Sequence, residues 1–432
     1  MGNTAINRLT APVIVNPVEM EVSLPPCEKI VLSNGVELYM LNEGNEETMM
    51  LNWVFMAGSW YEQKRILAPA TNFLLKNGTA KRSAFDVNEH FEYYGAYLNR
   101  SCYSETAEIS LHCLNKHVAA LLPVVAEMIS EASFPDEEIA IYKQNAQQRL
   151  KVGLQKCDFV ASRLIDASLY GEDHPYGRYS RLEDYTAINR EDLLQFYDQH
   201  YRNGRCVIFA AGKFPRNLPQ LLEDYFGQLP LHPFSSIRRE HAIAIKPNAE
   251  KKHFVLNDPN GVQAAIRIAR PFPNKLHPDF QKAVVLNNVF GGFFGSRLMA
   301  NIREEKGYTY GIYSYLLNQV RESGWMISTE AGRDVYEATI NEVYSEMEEL
   351  REELIDEEEL MMTRNYMIGS ILGDLDGPFQ VIARWKSMLL NDLDISYFHR
   401  GLEIIRHISA EELRELAREY LQPADFHELV VI

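Results

Sequence analysis

Nine residues starting at Ile188, Ile-Asn-Arg-Glu-Asp-Leu-Leu-Gln-Phe, return 220 residues later in altered form as Ile408-Ser-Ala-Glu-Glu-Leu-Arg-Glu-Leu. Each copy opens on a capping residue, carries acidic residues in its first turn and continues with apolar residues at helical spacing. Each then leads into an apolar strand, 206–210 in one case and Leu429-Val-Val-Ile432 in the other. A spacing this long exceeds any solenoid period and means a duplicated domain. The chain therefore has to build two related folds rather than one.

Its 432 residues suit two domains of roughly 200 each. Between them, residues 229–252 lose periodicity and gather Pro and charge, as a linker does. The reading is an N-terminal arm over 1–25, one domain over 26–228, the linker over 229–252 and a second domain over 253–432.

The strand and helix signals repeat in kind. Glu28 to Met40 reads as two strands about an Asn34-Gly35 hairpin turn, and Leu51 to Met56 as a third. Helices are expected over 68–76, 84–94 behind Ser83, 117–131, 136–154, 190–201 and 218–226. Strands are expected at 97–100, 106–114 and 206–212. In the second half, strands are expected at 264–269, 311–317 and 324–329, with helices at 280–289, 335–352 and 356–372. Both halves thus read as α+β, each a mostly antiparallel sheet flanked by helices. The acidic run Glu346 to Glu359 is interrupted at helical spacing by Met347, Leu350 and Leu354, and reads as a solvated helix face.

Sixty acidic against 43 basic residues give a net charge of −17, which argues against a nucleic-acid partner. That charge permits a cavity attracting basic peptides, although a solvated acidic surface accounts for most of it. Five cysteines are scattered without a CxxC pair, so reduced buried thiols are expected rather than a disulfide framework. Neither a signal peptide nor a run of about 18 apolar residues is visible. The cytoplasm is the expected compartment, with a periplasmic location open because a removed leader would leave the same sequence.

Several short pieces then fall in a meaningful order: Ala57-Gly-Ser-x-x-Glu62, Gly78-Thr79, Gly95-x-x-x-Asn99, Glu105, Phe134-Pro135 and His174-Pro-Tyr-Gly177. The second half adds Phe290-Gly-Gly-Phe-Phe-Gly-Ser-Arg-Leu298 and Ile302-Arg-Glu-Glu-Lys-Gly-Tyr-Thr-Tyr310. From Ile30 to Ile432 the chain resembles the pitrilysin/insulinase family of zinc peptidases, in the short two-domain form of the mitochondrial processing peptidase subunits. The resemblance implies a His-x-x-Glu-His helix before Gly78-Thr79, two His holding zinc and the Glu activating water. Those positions here are Pro69, Asn72 and Phe73. The implied third ligand, a Glu near 147–150, meets Gln147-Gln-Arg-Leu150 instead. The resemblance thus implies a non-catalytic member binding no zinc of its own.

It also implies that an Arg and a Tyr seven residues later reach the substrate, and Arg303 and Tyr310 have that spacing. Both donate hydrogen bonds where negative charge develops on a tetrahedral intermediate. Taken alone, Arg303 reads as a surface helix charge and Tyr310 as a strand core residue. Asn99, Gly291, Gly292 and Gly295 are the implied substrate-binding positions. The glycines suit a mobile loop against an extended peptide, or a buried tight turn. They match neither a phosphate loop nor a dinucleotide fingerprint. His112, Cys113 and His117, and Asp173-His174, read as structural groups rather than metal ligands.

The expected partner is a zinc-bearing paralogue in a heterodimer, with a homodimer as the other possibility and peptide as substrate. On that reading the chain binds no cofactor and zinc resides in the partner. The alternative is a peptidase-fold scaffold or peptide-binding protein without protease activity.

Overall fold

The computed structural model describes residues 11, 15–239 and 242–432; residues 1–10 and 12–14 of the expected arm, and 240–241 of the expected linker, lie outside them. Twelve strands follow one another along the chain: β1 (Glu28–Val31), β2 (Glu37–Asn42), β3 (Thr48–Phe55), β4 (Tyr97–Cys102), β5 (Ala107–Leu114), β6 (Arg205–Gly212), β7 (His232–Pro233), β8 (Lys252–Val255), β9 (Gln263–Phe272), β10 (Thr309–Leu316), β11 (Ser323–Gly332) and β12 (His427–Val431). They form two sheets. The first runs β1-β2-β6-β3-β5-β4 with β7 beside β6, and the second runs β8-β12-β9-β11-β10.

Set beside one another, the two orders match strand for strand from β2 and β8 onward. β2 lies parallel to β6 as β8 lies parallel to β12. The remaining pairs, β6–β3, β3–β5 and β5–β4 against β12–β9, β9–β11 and β11–β10, are all antiparallel. The repeated helix–strand unit is the closing element of each copy. Helices Arg190–Tyr197 and Ala410–Tyr420 both begin in a capping box, from Asn189 with Asp192 and from Ser409 with Glu412. The α+β duplication expected from sequence is the architecture observed.

Among the described residues, three long helices without a sequence expectation, Cys157–Tyr170, Pro378–Leu390 and Ile395–His407, and a short one, Asp184–Ala187, complete the fold, and two of the long ones lock the halves together. Helix 157–170 packs on β9 and β12 of the second sheet, while helix 378–390 packs on β6 and β2 of the first. Val160, Ile165 and Leu169 share a core with Ala269, Met326 and Leu429. Val381 and Ile382 share another with Leu41, Val207 and Phe209. Each buried aliphatic chain here contributes about 1.5–3 kcal/mol against leaving it in water. A salt bridge crosses the same seam: Lys386 Nζ lies 2.7 Å from Glu108 Oε2 and 3.2 Å from Asn52 Oδ1. The arm joins in, with Val22 and Leu24 buried in the second core and the Trp385 indole donating to the Pro25 carbonyl at 2.8 Å.

The expected linker is likewise strapped down. Ile237 is fully buried, and the Lys246 and Asn248 amides donate to the carbonyls of Tyr170 and Ser168 at 2.9 and 2.8 Å. Cys113 and Cys206 are buried, whereas Cys27, Cys102 and Cys157 are only half-buried; all five are free thiols.

Candidate functional site

Helix Leu67–Leu74 holds the positions where the resemblance places a metal-binding motif. Its N-terminus is fixed from outside the helix. The Glu62 carboxylate accepts the Ala68 amide at 2.9 Å and lies 3.3 Å from Arg178 Nη2, which also donates to the Ser59 carbonyl. Burial raises the Glu62 pKa from 4.5 to about 7, opposed by the charge of Arg178. Ile66 enters the helix with φ of 65°, an uncommon conformation for a β-branched residue, held where Glu62 grips the first turn. With this frame, Pro69 falls within the first helical turn, where its missing N–H costs nothing.

The helix is closed off at its C-terminal end by Gly78. Its φ is 124°, and a Cβ there would come 3.1 Å from the Pro135 ring and Ser133 Oγ. The Ser133 amide donates to the Gly78 carbonyl at 3.1 Å, and the Thr79 hydroxyl donates to the Glu127 carboxylate. The Gly-Thr and Phe-Pro pieces of the sequence are thus two sides of one contact.

Asn72 is 2 % exposed, and its amide donates to Tyr201 Oη at 3.1 Å and to the Glu108 carbonyl at 3.3 Å. Phe73 packs on Tyr142 at 5.1 Å between ring centroids. The Arg100 guanidinium sits 5.0 Å from the Phe73 ring centre and donates to the Phe73 carbonyl. The side chain of helix Asp136–Gly153 that meets position 73 is therefore Tyr142, at least a turn before the 147–150 stretch named from the sequence. Gln147 instead donates to the Leu182 carbonyl at 3.2 Å, and Leu150 is core.

Zinc does not fit this arrangement. Positions 69, 72 and 73 offer no imidazole or carboxylate, Asn72 is occupied with internal partners, and a cation already lies over position 73. Among the described residues no group of three or more His, Cys, Asp and Glu is arranged to hold a metal ion. His174 is buried, with Nε2 3.2 Å from the Ile243 carbonyl and Nδ1 accepting the Tyr176 amide. The Tyr176 hydroxyl donates to Glu105 and accepts the Arg321 amide at 3.0 Å, so this motif ties the first half to the second.

The second half gathers its singled-out residues more openly. Arg303 lies on a wide helical turn, Met299–Glu305, and Tyr310 near the start of edge strand β10. The guanidinium stands 5.0 Å from the Tyr310 ring centre and 4.8 Å from that of Phe294, held between two aromatic faces. Tyr310 is 90 % exposed, so it is not a core residue. Arg303 makes no ion pair among the described residues. Asn99 stands exposed on β4, the edge strand of the first sheet, 3.5 Å from Ser101 Oγ. The neighbours of helix 67–74 are β4, β5, helix 190–197 and helix 136–153, so it and the Arg303 cluster sit on separate halves.

Of the glycines, Gly291 is a packing glycine: it is buried, and a Cβ would lie 2.7 Å from Ser314 Cβ. That favours the tight-turn reading at this position. At Gly292 and Gly295 the added Cβ would meet side chains, Asn288 Oδ1 at 2.9 Å and the Phe293 ring at 2.8 Å.

Sequence reasoning missed what anchors this loop. Arg297 forms a two-pronged bridge to Glu359 at 2.7 and 2.8 Å, Lys306 pairs with Glu342 at 2.6 Å, and Asn301 donates to Glu346 at 2.7 Å. Two of these carboxylates belong to the acidic run read as a solvated face. In part, that run is the clamp on segment 297–306. Acid–base complementarity between 297–306 and 342–359 was the available signal.

Two models of one family match side by side: residues 40–175 match the insulinase model, peptidase family M16, and residues 187–367 match its inactive domain. The chain belongs to this family. Similar proteins include an uncharacterized zinc protease of Bacillus subtilis, 23% identical over 91% of this chain and 95% of the relative. A probable mitochondrial-processing peptidase subunit beta of Schizosaccharomyces pombe is 26% identical over 63% of this chain and 60% of its own. Two solved structures share the fold. A peptidase M16 inactive domain from Pseudomonas fluorescens has a TM-score of 0.83 at 22% identity over 94% and 98% of the two chains. A protease from Helicobacter pylori has 0.84 at 15% over 95% and 100%. No helix among the described residues is long and apolar enough to cross a membrane.

Proposed function

We propose that this chain is the non-catalytic subunit of a heterodimeric zinc endopeptidase, and that a zinc-bearing paralogue supplies the metal. The observation that carries the reading is the contrast between Asn72, buried and held by internal partners, and Arg303–Tyr310, where a half-buried guanidinium without an ion pair among the described residues lies against a largely exposed tyrosine. In this reading Arg303 and Tyr310 donate to the carbonyl or backbone of a peptide held in the partner's zinc site. The unpaired edge of β4, which bears Asn99, accepts an extended peptide by strand addition. Gly292 and Gly295 let the loop before Arg303 run close to that peptide, while Gly291 packs against Ser314 and sets the turn.

The test is reconstitution with a paralogue containing His-x-x-Glu-His. Cleavage should appear only in the mixture and fall on Arg303→Ala and Tyr310→Phe while the heterodimer still forms. Cleavage unchanged by both substitutions would overturn the proposed roles. The peptide-binding scaffold reading predicts peptide binding without cleavage in any pairing, and light scattering on the isolated protein would then report a homodimer.

A further inference from the structure

A partly open cavity of about 370 Å³ lies in the second half, lined by helices Phe280–Asn287, Glu357–Gly373, 378–390 and 395–407. Its walls are largely hydrocarbon, with Phe280, Val284, Met367, Met388, Phe398 and Leu402 among them. Its volume lies within the range of small-ligand pockets. Two cations, Lys275 and Arg384, stand in the same lining.

Their surroundings are unbalanced. Lys275 makes no hydrogen bond or ion pair with any described residue. The charges that act on it, Arg384 and Arg238, are both positive. Burial and those two charges lower its pKa to about 8. Among the described residues the one acid that Arg384 reaches is the exposed Asp374 carboxylate, at 3.3 Å, and the guanidinium stands 5.6 Å from the Phe398 ring centre. Arg238 is engaged at 4.0 Å with Asp392. A half-buried ammonium beside a guanidinium, with no acid of its own, is stabilised by an anion brought from outside. The hydrocarbon walls ask for an apolar body attached to that anion.

We propose that this cavity binds an amphiphilic monocarboxylate, its head between Lys275 and Arg384 and its unbranched apolar tail among Phe280, Met367, Met388 and Leu402. The site is separate from the proposed peptide surface, because neither Arg303 nor Tyr310 lines it. It adjoins the Gly-rich loop through Tyr366, which lines the cavity and stacks on Phe293 at 4.3 Å.

Calorimetric titration of the full chain with decanoate tests the assignment, with decanol as the neutral control of equal length. Saturable one-to-one binding of decanoate is expected, at least tenfold tighter than decanol and weakened about tenfold by Lys275→Met, which keeps length and removes charge. Leu402→Trp, which fills the apolar part and leaves both cations, should abolish binding; circular dichroism confirms that each variant is folded. Absence of saturable binding to the folded wild type would overturn the proposal. So would equal affinity for decanol, or undiminished affinity in folded Lys275→Met.

Discussion

The connection from β3 to β4 and the connection from β9 to β10 occupy the same slot in two copies of one fold, yet they use it in opposite ways. In the first, Asn72 is turned inward to Tyr201, while Phe73, 38 % exposed, packs against Arg100 and Tyr142. In the second, the chain breaks into a glycine loop and a wide turn that leave Tyr310 exposed and Arg303 half-buried against it. Both regions contain an arginine over aromatic rings. What separates them is whether the surrounding carboxylates and carbonyls leave the cation free. Arg100 donates to a backbone carbonyl, whereas Arg303 makes no ion pair among the described residues, and Arg297 and Lys306 of the same segment hold Glu359 and Glu342. Duplication supplies the scaffold, and the distribution of partners decides which copy stays available.

The contrast can be broken by removing the Arg303 cation. Arg303→Ala is expected to lower kcat/KM of the reconstituted heterodimer by about 10²–10³-fold, the usual cost of one transition-state donor, with Tyr310→Phe costing less. Steady-state kinetics on a peptide substrate reads both. An effect on stability alone would place Arg303 with Arg100 as a packing residue.

The seam between the copies should be the next most sensitive place. Lys386→Ala leaves Glu108 buried without its ion pair, and a loss of about 3 kcal/mol is expected by chemical denaturation. The Glu108→Gln, Lys386→Met double variant should recover part of it.

A pH effect distinguishes the first copy. The folded state holds the Glu62 proton more tightly than the unfolded chain, so this group's stabilisation is complete below pH 4.5 and is lost as pH rises toward about 7. The span corresponds to about 3 kcal/mol at most. Glu62→Gln should flatten that part of a stability–pH profile, and an unchanged profile would mean that Arg178 holds the carboxylate ionised throughout.

The smallest expected effect sharpens the comparison. Asn72→Ala strands the buried Tyr201 hydroxyl and should cost about 1–2 kcal/mol, with reconstituted cleavage unchanged once the protein is folded. A loss of cleavage in a fully folded Asn72→Ala heterodimer would mean that the first copy still takes part in the chemistry.

Much of the fold was legible because the signals are local. The Asn34-Gly35 turn, the capping residues Ser83, Asn189 and Ser409, and the helical spacing over 118–131 act within a few residues of themselves. The helices at 157–170 and 378–390 were not legible, since the surfaces that bury them belong to the opposite half. Arg303 and Tyr310 could be named by spacing and resemblance, but Phe294, which completes the cluster, could not. Its contact depends on how the loop folds back at Gly291. The acidic run shows the same limit: helical periodicity identified the helices, while the residues that Glu342, Glu346 and Glu359 hold, Lys306, Asn301 and Arg297, lie about forty to sixty residues away in sequence.

The sequence alone determined that the fold is duplicated, that each copy is α+β, and that positions 69, 72 and 73 carry no metal ligand. Those follow from side-chain identity and short-range spacing, which no later packing can alter. Only the tertiary structure decided that Asn72 is closed by Tyr201 and that Phe73 lies against Arg100 and Tyr142, that each sheet is covered by the other half's helix, and that Lys275 and Arg384 face one apolar cavity. Each of these depends on groups distant in the chain meeting at a few ångströms, and burial, pairing and exposure exist only once they have met.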